Sequence, residues 1–118
     1  MPSMRSDENS LIHIRDNIHA ARLFTEGLSF EDFAASRLAF YATTRALEIV
    51  SEAARRLSPA LRDRHSTLPW KQIMGIGNVL RHDYDDVQES MIWMTVQDHL
   101  GPLLAAVEAE LNDQGISQ

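Results

Sequence analysis

The chain has 118 residues, no cysteine and a formal net charge of −6 at pH 7. The length predicts one domain, residues 1–118, and the absence of cysteine excludes a disulfide framework. No apolar run approaches the roughly 20 residues of a membrane span, and residues 1–9 lack the apolar core of a signal peptide. These features predict a cytoplasmic protein without membrane association, and the acidic charge argues against a broad basic surface for nucleic acid.

The first predicted helix spans residues 9–26. Its apolar residues recur at three- and four-residue steps, as on one face of an amphipathic helix. Gly27 is expected to end this helix, since glycine is the usual residue beyond a helix C-terminus. The polar segment 1–8 and the polar tail 113–118 are expected to be frayed.

The second predicted helix is long and spans residues 30–57. Ser29, with Asp32 three residues later, is typical of an N-terminal capping box. Apolar residues then continue at helical spacing without a break. Ser58 and Pro59 indicate a restart, because serine caps helices and proline is favoured in the first turn, so a short helix over 59–65 should follow.

A fourth helix is predicted over residues 70–84 and a fifth over residues 87–112, in which Pro102 should cause a bend. Gly75 and Gly77 each cost about 1 kcal/mol relative to alanine in a helix interior, so they suggest close packing against a helix or a bound group. The five segments predict an all-α fold, an antiparallel bundle of about five helices. An apolar stripe left exposed on its long helices would be buried in a homodimer.

The residues with most chemical potential lie at the end of the fourth predicted helix. His82 can exchange a proton near neutral pH, and Arg81 can hold a phosphate or a developing negative charge. Asn78 lies four residues before His82, which places both on one helix face. Histidine and arginine suffice in principle for RNA cleavage without a metal ion.

Structural roles also fit these residues. His82 is suited to a helix C-terminus, where a positive charge is favoured. Tyr84 is suited to packing with its hydroxyl at the rim of the core. A single histidine among polar groups is common, so residue types alone leave both interpretations open.

The order of several segments resembles the HepT-like toxins of the HEPN superfamily over nearly the whole chain. The segments are residues 27–33 (GLSFEDF), 47–54 (LEIVSEAA), 68–70 (LPW) and 77–84 (GNVLRHDY). The resemblance implies a HEPN-like homodimer, or a higher oligomer, of helical bundles. It also implies a ribonuclease site in the cleft between protomers, with RNA as the substrate. We expect no metal or other cofactor, since histidine and arginine can supply the chemistry.

The family motif is an arginine followed by asparagine, then, after a short spacer, His-x-Tyr. Asn78, His82 and Tyr84 match it, whereas Gly77 stands in place of the arginine. Arg81 lies one turn later and about 40° around the helix from position 77, and can supply a guanidinium instead. The resemblance also implies a partner, a nucleotidyltransferase antitoxin of the MNT type, which transfers AMP to the motif tyrosine, here Tyr84.

Two functional hypotheses therefore emerge. In the first, the chain is the toxin of a toxin–antitoxin pair, a metal-independent endoribonuclease with catalytic residues Asn78, Arg81 and His82 that is neutralised by AMP transfer to Tyr84. In the second, it is a non-catalytic helical binding subunit of a nucleotidyltransferase complex. A purely structural bundle would leave the polar cluster at 78–84 without a role.

Overall fold

The computed structural model describes the backbone of residues 2–82 and 87–115 and the side chains of residues 7–80 and 89–115. The described residues contain helices and no strand, which confirms the predicted all-α fold. The helices are α1 (Pro2–Thr25), α2 (Phe30–Ala35), α3 (Arg37–Arg55), α4 (Pro59–Arg64), α5 (Trp70–His82), α6 (Val87–Met94) and α7 (Leu100–Asp113), with a π-helical turn (Thr95–His99) between α6 and α7.

The predicted boundaries that rest on capping residues are confirmed. Ser29 and Asp32 form a capping box at α2, with the Ser29 hydroxyl accepting from the Asp32 amide at 3.1 Å. Ser58 caps α4 by accepting from the Leu61 amide at 3.2 Å. Gly27 follows α1 with a φ of +78°, a conformation that glycine adopts without steric cost.

The prediction of one continuous helix over residues 30–57 is wrong at Ser36. This residue ends α2 and begins α3 in extended conformation, with φ −102° and ψ 105°. Its hydroxyl accepts from the Ala39 amide at 3.0 Å, an N-cap hydrogen bond that satisfies a donor in the first turn of α3. The chain thus turns where the apolar periodicity alone indicated no interruption.

The predicted fifth helix is interrupted before Pro102, where the π-helical turn lies. Proline has no amide hydrogen, and its ring crowds the carbonyl four residues earlier, here that of Asp98. The π turn is wider than an α-helical turn and accommodates the proline ring. The expected bend is therefore replaced by a change in helical register.

The first helix begins seven residues earlier than predicted, at Pro2. Asp7, in the segment expected to be frayed, is buried with 6% of its surface exposed. Its carboxylate accepts from the Ser58 amide at 2.8 Å and from the Ser58 hydroxyl at 2.7 Å. The start of α1 is therefore held against the start of α4.

Contacts between helix ends show that α1 runs antiparallel to α3 and to α7. Asp7, near the start of α1, contacts Ser58, just beyond the end of α3. Gly101, at the start of α7, lies near Arg22 at the end of α1, where an added Cβ would come within 3.9 Å of the Arg22 guanidinium. The main packing partners of α3 are α1 on one side and α5 on the other.

The apolar core lies between α1, α3, α5 and α7. Its largest fully buried side chain, Phe33, packs against Trp93 with ring centroids 5.4 Å apart and against Phe40 at 6.1 Å. These aromatic contacts fix short helix α2 onto the bundle. Within the described parts of the chain, no helix combines the length and apolar character needed to cross a bilayer.

Candidate active site

The motif helix, α5, is anchored at its first residue. Trp70 donates from its indole nitrogen to the carbonyl oxygens of His65, at 2.9 Å, and Arg62, at 3.1 Å. These two carbonyls lie at the end of α4 and also accept from backbone amides, that of Arg62 from His65 at 3.0 Å and that of His65 from Leu68 at 3.1 Å. The indole therefore adds a second donor to each carbonyl and links the end of α4 to the beginning of α5.

A second anchor holds the middle of α5 against α3. The Ser51 hydroxyl, only 1% exposed, donates to the Met74 carbonyl at 3.0 Å and accepts from the Gly77 amide at 3.1 Å. Arg55 adds a bond from its Nε to the same Met74 carbonyl at 2.9 Å. Two side chains of α3 thus fix the height and rotation of the helix that carries the motif.

The two glycines of α5 have different surroundings. Gly77 is buried and bonded through its amide to Ser51, which fits the expected close packing against another helix. An added Cβ at Gly75 would meet no atom within 4 Å, so no close approach requires glycine there. The position that corresponds to the motif arginine is therefore the one in contact with α3.

The described part of the motif places Asn78 on the surface. Asn78 is exposed, while Ile73 and Leu80 on the same helix are buried at 8% and 5% exposure. Because α5 remains helical through His82, Asn78 and His82 share one face of the helix, as the sequence predicted.

Arg81 and His82 are the last two residues of α5. Their side chains lie outside the described part of the structure, as does all of Tyr84. The proposed catalytic roles of Arg81 and His82 and the modification of Tyr84 therefore stay predictions.

The shifted pKa values among the described residues belong to a different place, the contact between α4 and α7. Glu110, 6% exposed, accepts from Arg64 at 2.8 and 3.2 Å and lies 2.7 Å from the imidazole of His65. The hydrogen bonds from Arg64 lower the pKa of Glu110, against the opposing effect of burial, and the same pairing raises the pKa of Arg64. This ion pair ties α4 to α7, and none of its three residues belongs to α5.

Ser51 and Arg55 are positioning residues that the sequence analysis did not identify. Ser51 lies on the apolar face of α3, within four residues of buried Leu47 and Ala54. A polar side chain on such a face needs a hydrogen-bond partner, so this pattern was the available signal. The partner, however, lies 26 residues away and was not visible in the spacing.

Several known proteins similar to this chain carry the word RNase or ribonuclease in their names. The family described as "Ribonuclease HepT-like" matches residues 14–110. A relative from Caldanaerobacter subterraneus subsp. tengcongensis, whose name describes it as a "Putative RNase", is 32% identical and aligns over 94% of this chain and 99% of its own. A relative from Methanocaldococcus jannaschii with the same description is 28% identical, over 90% and 97% of the two chains.

A third relative, from Thermococcus cleftensis, is named "Probable ribonuclease HepT" and is 30% identical over 88% of this chain and 94% of its own. No solved structure matches the chain. The family match and the relatives cover most of the chain, and the helical fold is consistent with them. The chain therefore belongs to the HepT-like ribonuclease family.

Proposed function

We propose that the protein is the toxin of a toxin–antitoxin pair and acts as a metal-independent endoribonuclease in the cleft of a homodimer. The observation that carries the proposal is the geometry of α5 in a chain of this family. The helix is fixed by Ser51, continues to His82 and presents Asn78 on its exposed face. Two copies of such a helix end would concentrate arginine and histidine in an otherwise acidic protein.

In the proposed reaction, His82 acts as general base and then as general acid. It removes the proton of an RNA 2′-hydroxyl, the 2′-oxygen attacks the adjacent phosphorus, and the 5′-oxygen leaves with a proton. Arg81 stabilises the negative charge on the phosphorus centre, and the Asn78 amide hydrogen-bonds the substrate beside it. The products are a 2′,3′-cyclic phosphate and a free 5′-hydroxyl, with no change in oxidation state.

An exposed patch on α3 supports the homodimer. Leu38 and Tyr41 are 82% and 57% exposed and lie three residues apart, on one face of the helix. Arg37 donates to the Tyr41 hydroxyl at 3.3 Å and lies 5.5 Å from its ring centroid, which orders the tyrosine at the surface. A two-fold contact through this patch would bury large apolar side chains that α3 leaves in water.

Control of the toxin is proposed to occur at Tyr84. Its phenol would attack the α-phosphate of ATP on a partner nucleotidyltransferase of the MNT type, with pyrophosphate leaving. The attached AMP would place a phosphodiester beside Arg81 and His82 and compete with the RNA phosphate for the guanidinium. The test is the intact mass of the chain after co-expression with such a partner. AMP-sized increments should appear in the wild type and be absent from Tyr84→Phe.

Cleavage is tested with the purified protein, single-stranded RNA and EDTA. Wild type should cut in EDTA, and Arg81→Ala should lose about 10²- to 10³-fold in rate, the usual loss when a charge-stabilising donor is removed. His82→Ala should be inactive. His19→Ala and Arg56→Ala are matched controls because both side chains are exposed and lie outside the motif. Cleavage by Arg81→Ala at the wild-type rate, or its loss in EDTA, would reject this mechanism.

The second candidate function is a non-catalytic helical subunit that binds a nucleotidyltransferase. It is favoured by one observation, that buried Gly77 occupies the position of the motif arginine. In that case no RNA would be cut by any preparation, while the complex with the partner would form equally well with wild type and His82→Ala. Cleavage that depends on His82 would exclude it.

A further inference from the structure

A cavity of about 340 Å³ opens beside α5, on a part of the molecule that the motif does not include. Its volume falls within the range of about 300–1,000 Å³ that is typical of small-molecule sites. Most of its wall is apolar and comes from α3, α5 and α7. The apolar side chains of this wall include Leu47, Val50, Ile73, Ile76, Leu100 and Leu103.

The mouth of the cavity is polar. Gln72 comes from α5, and Asp98 and His99 come from the π-helical turn; all three are exposed. Within the described part of the chain, their side chains have no hydrogen-bond or ion-pair partner. The π turn therefore places a carboxylate and an imidazole, both free to bind a ligand, at the edge of an apolar space. Such turns occur frequently at functional sites.

A second cavity, of about 580 Å³, continues along α5 toward the motif. It shares Gln72, Ile76 and Thr95 with the first cavity and extends past Gly75 to Val79, the neighbour of Asn78. Lys71, the only lysine of the chain, lies at the end of it away from the motif. The two cavities together form a groove that connects the polar mouth with the part of α5 next to exposed Asn78.

We propose that the first cavity is a subsite for one nucleobase of the RNA strand. Any base has flat apolar faces and a polar edge, and this combination matches apolar walls with a rim of amide, carboxylate and imidazole groups. Asp98 at the mouth repels phosphate, so the base enters the cavity and the sugar–phosphate chain stays in the groove. This subsite rests on the proposed nuclease function and deepens it.

The groove favours a polymer over a free nucleotide. Among the residues that the structure describes, Lys71 is the only lysine or arginine lining either cavity, and one lysine is a poor match for the clustered charge of a triphosphate. It suits a single backbone phosphate beside the bound base. From there the strand follows α5 toward Asn78, so that the scissile phosphate is not the one attached to the base held in the cavity.

The test uses the full chain carrying His82→Ala, so that RNA is bound and not cut. Nucleosides and short oligoribonucleotides are titrated, and side-chain NMR signals of Leu103 and Ile76 report occupancy of the cavity. His99→Ala and Gln72→Ala should each weaken nucleoside binding about three- to tenfold, the value of one lost hydrogen bond. Ile76→Trp, which fills the cavity, should abolish it.

Gln97→Ala is the matched control. Gln97 is exposed on the same π turn but lines a different cavity, with Arg22 and Thr25, so binding should not change. Because Gln72 and His99 are exposed, their variants should fold normally even if Ile76→Trp does not. Because nucleosides carry no phosphate, their binding measures the contacts with the base and not a general attraction of phosphate to the protein.

The subsite is supported if nucleosides shift the NMR signals of the cavity residues. Binding should be weaker in the rim variants and tighter when the nucleoside is part of an oligoribonucleotide. No shift with any nucleoside, or equal binding by all variants, would overturn it. Tighter binding of mononucleotides than of oligoribonucleotides would overturn its assignment to RNA. Failure of the nuclease proposal is recognised separately, since wild-type protein that binds bases here without cutting RNA rejects that proposal alone.

Discussion

Replacing Ser51 with alanine should lower the free energy of unfolding by about 1–3 kcal/mol. The change removes two hydrogen bonds between α3 and α5, of 3.0 Å to the Met74 carbonyl and 3.1 Å from the Gly77 amide. Each contributes about 0.5–1.5 kcal/mol net. The Met74 carbonyl keeps its bond from Arg55 at 2.9 Å, so the loss should fall short of the full cost of two unsatisfied groups.

A second hydroxyl on α3 should behave in the opposite way. Thr43 is fully buried, and among the described residues its Oγ1 has no hydrogen-bond partner. Valine has nearly the same shape and no hydroxyl, so Thr43→Val removes an unsatisfied polar group. We expect it to stabilise the protein by about 1 kcal/mol. The two substitutions together separate hydrogen bonding from the general effect of altering a buried side chain.

Thermal and urea unfolding, followed by circular dichroism, measure both effects. At about 4 °C per kcal/mol for a domain of this size, Ser51→Ala should lower Tm by about 4–12 °C and Thr43→Val should raise it by about 4 °C. Ser66→Ala is the control, because Ser66 is exposed and its side chain has no hydrogen bond to any described residue. A Ser51→Ala protein as stable as the Ser66→Ala protein would refute the anchoring role.

Four further substitutions test two side-chain contacts and two glycine positions. Asp7→Ala should lower the free energy of urea unfolding by about 2–3 kcal/mol, because the Ser58 amide and hydroxyl lose their acceptor; a change below about 0.5 kcal/mol would contradict this. The pKa of Glu110 is lowered by Arg64 in the folded state, so its contribution is complete above the ordinary value of 4.5 and is lost as pH falls through the lower folded value. Glu110→Gln should therefore flatten the dependence of stability on pH below about 4.5, and an unchanged profile would argue against the ion pair. Gly27→Ala should cost about 1–2 kcal/mol because φ is +78°, whereas Gly75→Ala, in a helix with open space around it, should stabilise by up to about 1 kcal/mol in the same thermal assay.

Local signals in the sequence predicted the helix ends that depend on neighbouring residues. The Ser29–Asp32 capping box and the Ser58 cap each need only residues within the first turn, so their effect can be read directly from spacing. The separation of Asn78 and His82 is equally local, because α5 stays helical between them. The common helix face of the candidate catalytic residues was predictable for that reason.

The break at Ser36 was missed although its signal is also local. Apolar residues continue at helical spacing across it, and alanine and arginine on either side favour helix. At the break, the Ala39 amide donates to the Ser36 hydroxyl, and Phe33 of α2 packs against Trp93 of α6. The contact with Trp93 joins residues 60 positions apart, so the spacing of apolar residues does not indicate it.

Contacts between distant segments explain the remaining differences. The helical start at Pro2 is supported by a partner of Asp7 that lies 51 residues away, and no local pattern indicates it. The register change before Pro102 was predicted only as a bend, because spacing alone does not distinguish a π turn from a kink. Both outcomes depend on the packed bundle as a whole.

The candidate site also depends on a contact between distant segments, the one between α3 and α5. Gly77 replaces the motif arginine and uses its amide to bind Ser51, so this position anchors the helix. Under the proposed function the guanidinium comes from Arg81, about 6 Å further along the axis, and its placement depends on how firmly the preceding turn is held. Ser51→Ala should therefore reduce the rate of RNA cleavage. The rate is measured at RNA concentrations well below saturation and at temperatures where the variant is fully folded. Catalysis is sensitive to displacements of about 1 Å in the reacting groups, so activity should fall before the cooperative unfolding of the protein changes.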